Sequence, residues 1–327
     1  MSGIGILGFG AYTPSRVMTN EDWSQYVDTS DEWITSRTGI KTRRIAAAEE
    51  TTVDLAEQAA LAALADAGVA TEEIDELIVA TDTPEVYIPD TAAFLQHRLG
   101  LREVPAYDLG GSGCAGFVLA LDLARSRALS ENATVLVVGV EMLSRLMDWS
   151  DRNTCVLFGD GAGAAVIGAR AGAAEILACV AGTDGSQTGI LQRETGGTRK
   201  PFSKELAESG EFLKIDFNGR SVFKEAVRRM TASALAVLEK AGHQLSDVDL
   251  VIPHQANLRI IQAVTKSLGL QPETVFSNVE RLGNTGSASV PLALVDAREC
   301  GSLHSGDLVL MTAFGAGFHW ASALIRF

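Results

Sequence analysis

The stretch that decides the fold spans residues 110–117 and reads Gly110-Gly111-Ser112-Gly113-Cys114-Ala115-Gly116-Phe117. The segment before it, 104–109, is typical of a strand, and the segment after it, 117–124, is apolar at nearly every position. That order predicts a helix buried on all sides, with Cys114 at or near its N-terminus. Backbone N–H groups and the helix dipole favour negative charge there, so we expect the Cys114 thiol to lose its proton easily and to act as a nucleophile.

Composition limits the classes of protein to which the chain can belong. Of its 327 residues, 46% are hydrophobic and 21% are charged, which is typical of a globular protein with a large interior. The formal net charge of -14 argues against non-specific binding to nucleic acid or to a membrane surface. The four cysteines have no paired spacing and the five histidines are scattered, so neither a disulfide framework nor a metal site is predicted. No stretch is typical of a secretory signal or a membrane span, and we expect a cytoplasmic protein.

Two glycine patterns look like nucleotide-binding motifs but lack the context that such motifs need. Residues 3–8 match G-x-G-x-x-G, yet no strand precedes them, and Pro14 follows where the helix would run. Residues 159–163 lead into an apolar strand and not into a helix. We therefore expect a glycine-containing strand and a tight turn at these two places.

An internal repeat indicates two related α/β halves, 1–171 and 172–327. Both halves carry the same order of helix, strand, helix and Leu-Gly stop, in segments 52–68, 74–79 and 99–101 and again in segments 223–242, 248–252 and 268–270. The stretch 109–114 likewise matches 282–287. Because strands alternate with helices and read as apolar runs, we expect largely parallel sheets covered on both faces.

Three polar side chains are expected to meet at the carboxyl ends of strands, where sites collect in such folds. Asn284 lies just before Ser287, the residue that corresponds to Cys114 in the second half. His254 follows the apolar strand 250–253 directly. A lone histidine of this kind is more often structural, but on the same rim as Cys114 and Asn284 it becomes a candidate catalytic residue.

The motifs around these residues are long and specific. They are S-G-C-A-G-F at 112–117, V-I-P-H-Q-A-N-L-R-I at 251–260, R-L-G-N-T-G-S-A-S-V-P at 281–291 and A-F-G-A-G-F-H-W at 313–320, with shorter ones at 28–34, 37–40 and 158–163. Over the whole chain they closely resemble the β-ketoacyl-acyl-carrier-protein synthase III family. The resemblance implies an α/β thiolase-like fold, in which two pseudo-repeated halves form a layered α-β-α-β-α arrangement with buried central helices.

The resemblance also implies a decarboxylative Claisen condensation. Cys114 would carry an acyl group taken from acyl-CoA, while His254 and Asn284 would stabilise the enolate formed when malonyl on acyl carrier protein loses carbon dioxide. The oxyanion site would come from the backbone N–H groups of Cys114 and Ala316. The first half would thus carry the nucleophile and the second half the His and Asn. No cofactor is implied, and a homodimer is expected.

Further positions match the family's binding residues. Those expected around CoA and its pantetheine arm are Thr29, Trp33, Arg37, Arg152 and Asn257. Those expected in the acyl pocket are Ile88, Phe158, Phe217 and Phe314. Those expected to contact acyl carrier protein are Lys224, Arg259 and Lys266. Trp33 is equally well interpreted as a structural aromatic residue. We interpret Arg228 and Arg229, which lie on the same helix as Lys224, as part of a solvated helix face.

Departures from the family pattern leave the acyl group undefined. Gly111-Ser112-Gly113 replaces the usual alanines before the cysteine, and Ile88 replaces a phenylalanine that is expected to cross a dimer interface. A starter-specific condensing enzyme of polyketide or other secondary metabolism would keep the same three catalytic residues, and it remains the alternative.

Other classes fit less well. A thiolase would need a second cysteine in 315–317, and a papain-like hydrolase would need a local signature that is absent around Cys114. Asp82 lies near the position of a catalytic glutamate in hydroxymethylglutaryl-CoA synthases, so that family also remains an alternative. A non-catalytic acyl-binding subunit would be expected to lose one of the three residues.

Overall fold

The computed structural model of the protein describes residues 3–327. The strands, in chain order, are β1 (Ile4–Tyr12), β2 (Arg16–Thr19), β3 (Thr42–Ile45), β4 (Glu76–Thr81), β5 (Ala106–Gly110), β6 (Val135–Met142), β7 (Asp160–Ala169), β8 (Ala174–Thr183), β9 (Leu191–Gln192), β10 (Asp216–Phe217), β11 (Leu250–Pro253), β12 (Leu308–Gly315) and β13 (His319–Arg326). The helices are α1 (Asn20–Trp23), α2 (Asp31–Thr38), α3 (Thr52–Ala67), α4 (Thr91–Arg98), α5 (Gly116–Glu131), α6 (Lys204–Ser209), α7 (Gly219–Ala241), α8 (Leu258–Leu268), α9 (Val279–Leu282) and α10 (Ser289–Glu299).

Nine strands form one continuous mixed sheet in the order β11-β12-β13-β8-β1-β7-β6-β4-β5. Its two halves meet where β1 runs antiparallel to β8, with Gly5 opposite Glu175 and Ile6 opposite Ala174. The first half runs β5-β4-β6-β7-β1, and the second runs β11-β12-β13-β8. In the first half, β5 pairs with β4 at the outer edge. At the corresponding edge of the second half, a single bridge joins Val275 to β11. The repeat read from the sequence is therefore present in the strand order. The division into domains at 171/172 remains a prediction.

The expectation of largely parallel sheets is wrong. Only β4–β5, β4–β6 and β11–β12 are parallel among the eight neighbouring pairs of the large sheet. The physical reason lies in the connections that close each half. A parallel neighbour needs a long crossover, whereas β12 passes to β13 through the short turn at 316–318 and runs back antiparallel.

Strand alternation produces the layers. Leu77 and Val79 of β4 face the cluster built on α3 and α4, whereas Ile78 and Ala80 face the cluster that contains α5 and α10. The outer face of the second half is covered by α7 and α8 in the same way. Helices α5 and α10 thus lie between the two halves of the sheet, which confirms the layered α-β-α-β-α architecture.

Helix α5 is less buried than its sequence predicts. Its start, with Phe117, Val118 and Leu121, is buried between the sheet halves. Further along, Leu123 is 41% exposed and Leu129 is 58% exposed. Burial on all sides therefore holds for the start of the helix, next to Cys114, and is wrong for its end.

The first glycine pattern has the structural role expected of it, whereas the tight turn expected at 159–163 is wrong, because residues 160–163 pair with β6 as part of strand β7. Residues 3–8 lead into and begin strand β1, and a Cβ on Gly8 would lie 2.6 Å from the Cα atom of Ala67 in α3. The glycines of β1 therefore allow close packing of helix on strand.

Within residues 3–327, no helix has the length and apolarity needed to cross a membrane.

Candidate active site

Cys114 is placed by a sharp turn between β5 and α5. Gly111 and Gly113 have φ angles of 68° and 58°, a left-handed conformation that residues with side chains rarely adopt. Residues Gly113–Ala115 form one turn of 3₁₀ helix that leads directly into α5. The thiol therefore lies at the N-terminal end of a central helix, as the sequence predicts.

Asn284 lies next to Cys114 through the corresponding turn of the second half. One 3₁₀ turn, Gly286–Ala288, leads into α10, and the Asn284 Oδ1 atom lies 4.0 Å from the Cys114 sulfur. The same oxygen accepts a hydrogen bond from the Gly286 N–H at 2.9 Å. This bond fixes the orientation of the amide, and within residues 3–327 its Nδ2 group has no partner. The side chain therefore offers donors to a ligand.

His254 is held at the end of β11 with one ring nitrogen fixed. Its backbone N–H donates to the carbonyl of Thr312 at 2.8 Å, and its Nδ1 lies 2.6 Å from the Ser289 Oγ. The Gln255 N–H donates to that hydroxyl oxygen at 3.4 Å, so the hydroxyl hydrogen is available for Nδ1. Nδ1 is then the acceptor, and Nε2 carries the ring hydrogen. Burial lowers the pKa of His254 to about 3, which keeps the ring neutral.

Two carboxyl groups lie near the thiol. Burial, the carboxyl of Asp82 and then that of Glu141 raise the pKa of Cys114. The expectation of an easily ionised thiol is therefore wrong for the free enzyme, because the pKa of Cys114 is raised and not lowered. Burial likewise raises the pKa of Asp82 and of Glu141, and the charge of Asp82 raises the pKa of Glu141 further.

Glu141 is a site residue that sequence reasoning missed. Its carboxylate accepts hydrogen bonds from the Thr83 hydroxyl at 2.8 Å, the Ser287 hydroxyl at 2.9 Å and the Asp82 N–H at 3.1 Å. It therefore ties β6 to the end of β4 and to the turn before α10. The signal in the sequence was a charged residue inside the apolar run of β6. Ser289 was missed as well, since a serine in a run of small residues gives no such signal.

The backbone N–H groups of Cys114 and Ala316 lie close together. A Cβ on Gly113 would lie 2.6 Å from the Ala316 nitrogen, and a Cβ on Gly315 would lie 2.9 Å from the Gly113 carbonyl carbon. In the described part of the chain, neither N–H donates to another residue. Two free donors beside the nucleophile suit a developing oxyanion.

The residues expected around CoA form one surface cluster. The guanidinium carbons of Arg37 and Arg152 lie 4.4 and 4.7 Å from the centroid of the Trp33 ring. Arg152 also donates to the Asp28 carbonyl at 2.7 Å. The Thr29 hydroxyl, two residues before α2, is shielded from solvent and has no partner within residues 3–327.

Asn257 lies apart from these residues, at the N-cap of α8. Its Oδ1 atom accepts a hydrogen bond from the Ile260 N–H at 3.0 Å. A Cβ on Gly39, which ends α2, would lie 2.8 Å from a methyl carbon of Leu258. This close packing brings the helix of the CoA cluster to the start of α8.

Cys114 opens into a cavity of about 1030 Å³. Of the four residues expected in the acyl pocket, Ile88 and Phe158 line this cavity, and Phe217 and Phe314 do not. Phe314 is buried and packs on Phe318, with their ring centroids 4.7 Å apart. Phe217 lies in β10 and contacts the start of α7 at Gly219. Asp82 lines the cavity as well.

The residues expected to contact the carrier protein are exposed on two helices that pack on each other. Lys224 is in α7, and Arg259 and Lys266 are in α8. None of them forms an ion pair within residues 3–327. In contrast, Arg228 and Arg229 pair with Glu225, which agrees with the structural reading of those two arginines.

Comparison with known proteins identifies the family. The models named 3-Oxoacyl-[acyl-carrier-protein (ACP)] synthase III and its C terminal match residues 107–185 and 238–327. A β-ketoacyl-[acyl-carrier-protein] synthase III of Oleidesulfovibrio alaskensis is 47% identical over 325 residues, which are 98% of either chain. The chain belongs to the 3-oxoacyl-[acyl-carrier-protein] synthase III family.

Solved structures agree with this assignment. The synthase III of Aquifex aeolicus is 45% identical with a TM-score of 0.91, and the alignment covers 99% of this chain and 100% of that one. The priming β-ketosynthase of a polyketide pathway is 36% identical with the same TM-score, over 99% of this chain and 96% of that one.

Within residues 3–327, no group of three or more His, Cys, Asp or Glu side chains could hold a metal ion.

The hydrogen bond from Ser289 to His254 leads to a testable prediction. Replacing Ser289 by Ala removes the donor that holds the ring hydrogen on Nε2, so a second tautomer becomes accessible. We expect decarboxylation of a malonyl thioester to slow by about tenfold, while acylation of Cys114 is unchanged. Because the pKa of His254 is about 3, the ratio of variant to native rate stays constant between about pH 5.5 and 8.

The matched control is Ser126→Ala, which removes an exposed hydroxyl from α5. Both rates are measured for each protein, acylation by intact mass and decarboxylation by release of labelled carbon dioxide. Equal loss of both rates in Ser289→Ala would mean that Ser289 only supports the local structure.

Proposed function

We propose that this chain condenses an acyl group from acyl-CoA with malonyl on acyl carrier protein, releasing CoA and carbon dioxide and giving the 3-oxoacyl carrier protein that starts fatty acid synthesis. The observation that carries the proposal is the approach of the Asn284 amide to within 4.0 Å of the Cys114 sulfur. The neutral His254 held by Ser289 adds a second donor at the N-terminus of α10.

The first half-reaction transfers the acyl group to Cys114. The sulfur attacks the thioester carbonyl, and the backbone N–H groups of Cys114 and Ala316 stabilise the resulting oxyanion. The carbon–sulfur bond to CoA then breaks, and the CoA sulfur takes the proton that the thiol gives up. Because the pKa of the free thiol is raised, Cys114 holds this proton until the acyl donor is bound.

The second half-reaction forms the carbon–carbon bond. When the malonyl group loses carbon dioxide, its electron pair passes into an enolate. The Nε2–H of His254 and the Nδ2–H of Asn284 donate to the enolate oxygen. The enolate carbon attacks the acyl carbonyl, the bond to the Cys114 sulfur breaks, and the thiolate takes a proton from water. Neutral donors suit this role, since they carry no charge that would attract and retain the malonyl carboxylate.

Two surface regions support the choice of substrates. The guanidinium groups of Arg37 and Arg152 both lie over the Trp33 ring, which suits the flat base and the phosphates of CoA. Asn257 at the start of α8 suits the pantetheine arm. Lys224, Arg259 and Lys266 are exposed and unpaired, and they suit an acidic carrier protein even though the whole chain has a net charge of -14.

The reaction needs no cofactor, because no step requires an oxidant or a reductant and the nucleophiles are the Cys114 sulfur and the enolate carbon of the substrate. The four cysteines, among them exposed Cys300, are free. Unpaired thiols are typical of a reducing compartment, and we place the enzyme in the cytoplasm.

We further propose a homodimer formed along the edge strand β5. One side of β5 has no partner strand within residues 3–327. Exposed apolar side chains belong to the neighbouring helices α4 and α5, namely Phe94, Leu123 and Leu129. Ile88 is 80% exposed and lines the acyl cavity, so a second copy that covers it would close this cavity. If β5 pairs with β5 of a second copy about a two-fold axis, the free strand edge gains hydrogen bonds and the exposed apolar side chains are buried.

The dimer is tested by replacing Leu123 with Glu, which would put a charge into the proposed interface. We expect the native protein to sediment with twice the 34.5 kDa of one chain and the variant to sediment as a monomer. Leu235→Glu, an equally exposed leucine on α7, is the matched control and stays dimeric. A native protein that sediments as a monomer would contradict the proposal.

The catalytic proposal is tested by intact mass after incubation with a panel of acyl-CoAs. We expect one acyl adduct per chain on the native protein and none on Cys114→Ala, since the sulfur is the nucleophile. Cys300→Ala is the control, because Cys300 is the exposed free thiol and its loss should leave the adduct intact. An adduct that survives in Cys114→Ala, or the absence of an adduct with every donor, would overturn the proposal.

A further inference from the structure

The acyl cavity contains a positive charge that the proposed chemistry does not use. Arg193 directly follows β9 and lines the same cavity as Cys114. No carboxylate of residues 3–327 lies within 4.0 Å of its guanidinium group. Burial is the only cause that lowers the pKa of Arg193, with no opposing effect from a neighbouring acid. A cation partly withdrawn from water without a counter-charge is costly, and such a cost is usually offset by a ligand or a partner.

The guanidinium group is held in place but is poorly satisfied. Its carbon lies 4.4 Å from the centroid of the Phe212 ring, which keeps the planar group flat against the cavity wall. Nη1 makes one long hydrogen bond, 3.4 Å to the Leu146 carbonyl. Nε is shielded from solvent and has no partner in the described chain, and Nη2 makes no hydrogen bond there. Arg193 therefore has donors available for a group inside the cavity.

Four acidic side chains line the cavity, Asp82, Asp90, Asp108 and Glu141, and none of them forms an ion pair with Arg193 within residues 3–327. Glu141 accepts from the hydroxyls of Thr83 and Ser287, and Asp108 accepts from the backbone N–H groups of Thr91 and Ala92 at the start of α4. These carboxylates accept hydrogen bonds from other parts of the fold and do not pair with Arg193. The cavity wall also contains apolar side chains, among them Leu146, Phe158 and Ile215.

We propose that Arg193 binds the far end of the acyl group and makes the enzyme accept acyl chains that end in a carboxylate. The inference rests on the proposed function, in which Cys114 holds the acyl group at one point of the cavity. The methylene stem then lies along the apolar wall, and the terminal carboxylate accepts hydrogen bonds from the guanidinium group. Carboxylate is the group that a planar guanidinium fork recognises best. The substrate class is the mono-CoA thioester of an aliphatic dicarboxylic acid.

The test compares pairs of acyl-CoAs that have equal numbers of carbon atoms, with and without the terminal carboxylate, from four carbons to ten. Each pair competes for the native protein, and intact mass gives the ratio of the two Cys114 adducts. At the length that spans the cavity, we expect the carboxylate chain to be favoured by about tenfold, which is the factor expected for one charge-assisted interaction. In Arg193→Met, we expect the ratio to fall by at least that factor and the neutral chain to be taken up as readily as before.

Arg199→Met is the control, because Arg199 is an exposed arginine six residues further along the same segment. A native ratio that favours the neutral chain at every length, or a ratio that Arg193→Met leaves unchanged, overturns the inference about Arg193. In both cases neutral chains still acylate Cys114, so the proposed function stands. If no donor of either kind gives an adduct, the proposed function and this inference fail together.

Discussion

The site depends on a direct contact between two stretches of backbone. The turn that carries Gly113 and Cys114 packs against the loop of Gly315 and Ala316, with no side chain between them. A Cβ on either glycine would collide with the opposite backbone. This contact joins the start of α5 in the first half to the end of β12 in the second. Without it, the nucleophile and the second oxyanion donor would lie several ångströms apart, because any side chain would separate the two halves.

Burial then determines how the catalytic groups carry their protons. His254 lies deep in the fold and stays neutral, and its hydrogen is assigned by Ser289. Cys114 stays a thiol because burial is reinforced by the carboxyls of Asp82 and Glu141. The free enzyme therefore offers oriented N–H donors in place of ionised groups. Such an arrangement stabilises charge only when the reaction creates it, which is the condition for lowering a barrier.

The fold and the positions of the candidate catalytic residues could be predicted from the sequence because each leaves a local pattern. The turn around Cys114 has its glycines at defined positions, and its counterpart before α10 repeats that spacing, so the approach of Asn284 to Cys114 was predictable. The strand directions were not, because β7 and β13 are as apolar as parallel strands. Hydrophobic patterning reports burial on both faces and carries no information on direction.

Residues whose role depends on distant neighbours were harder to predict. Ser289 and Glu141 act through contacts with His254, Thr83 and Ser287 that only the folded chain creates. Phe314 matches the family motif but packs against Phe318, away from the lining of the acyl cavity. The raised pKa of Cys114 follows first from burial and then from the carboxyls after β4 and on β6, and the residues around the cysteine in the sequence show neither.

The central claim is a division of labour in which Cys114 holds the acyl group while His254 and Asn284 act on the malonyl group. The most direct measurement isolates acylated enzyme and follows loss of the adduct and release of carbon dioxide after malonyl carrier protein is added, in the native protein, His254→Ala and Asn284→Ala. The account predicts that all three become acylated, that the native protein releases one carbon dioxide per adduct lost, and that both variants discharge at least about a hundredfold more slowly. Discharge of the variants at the native rate would contradict it.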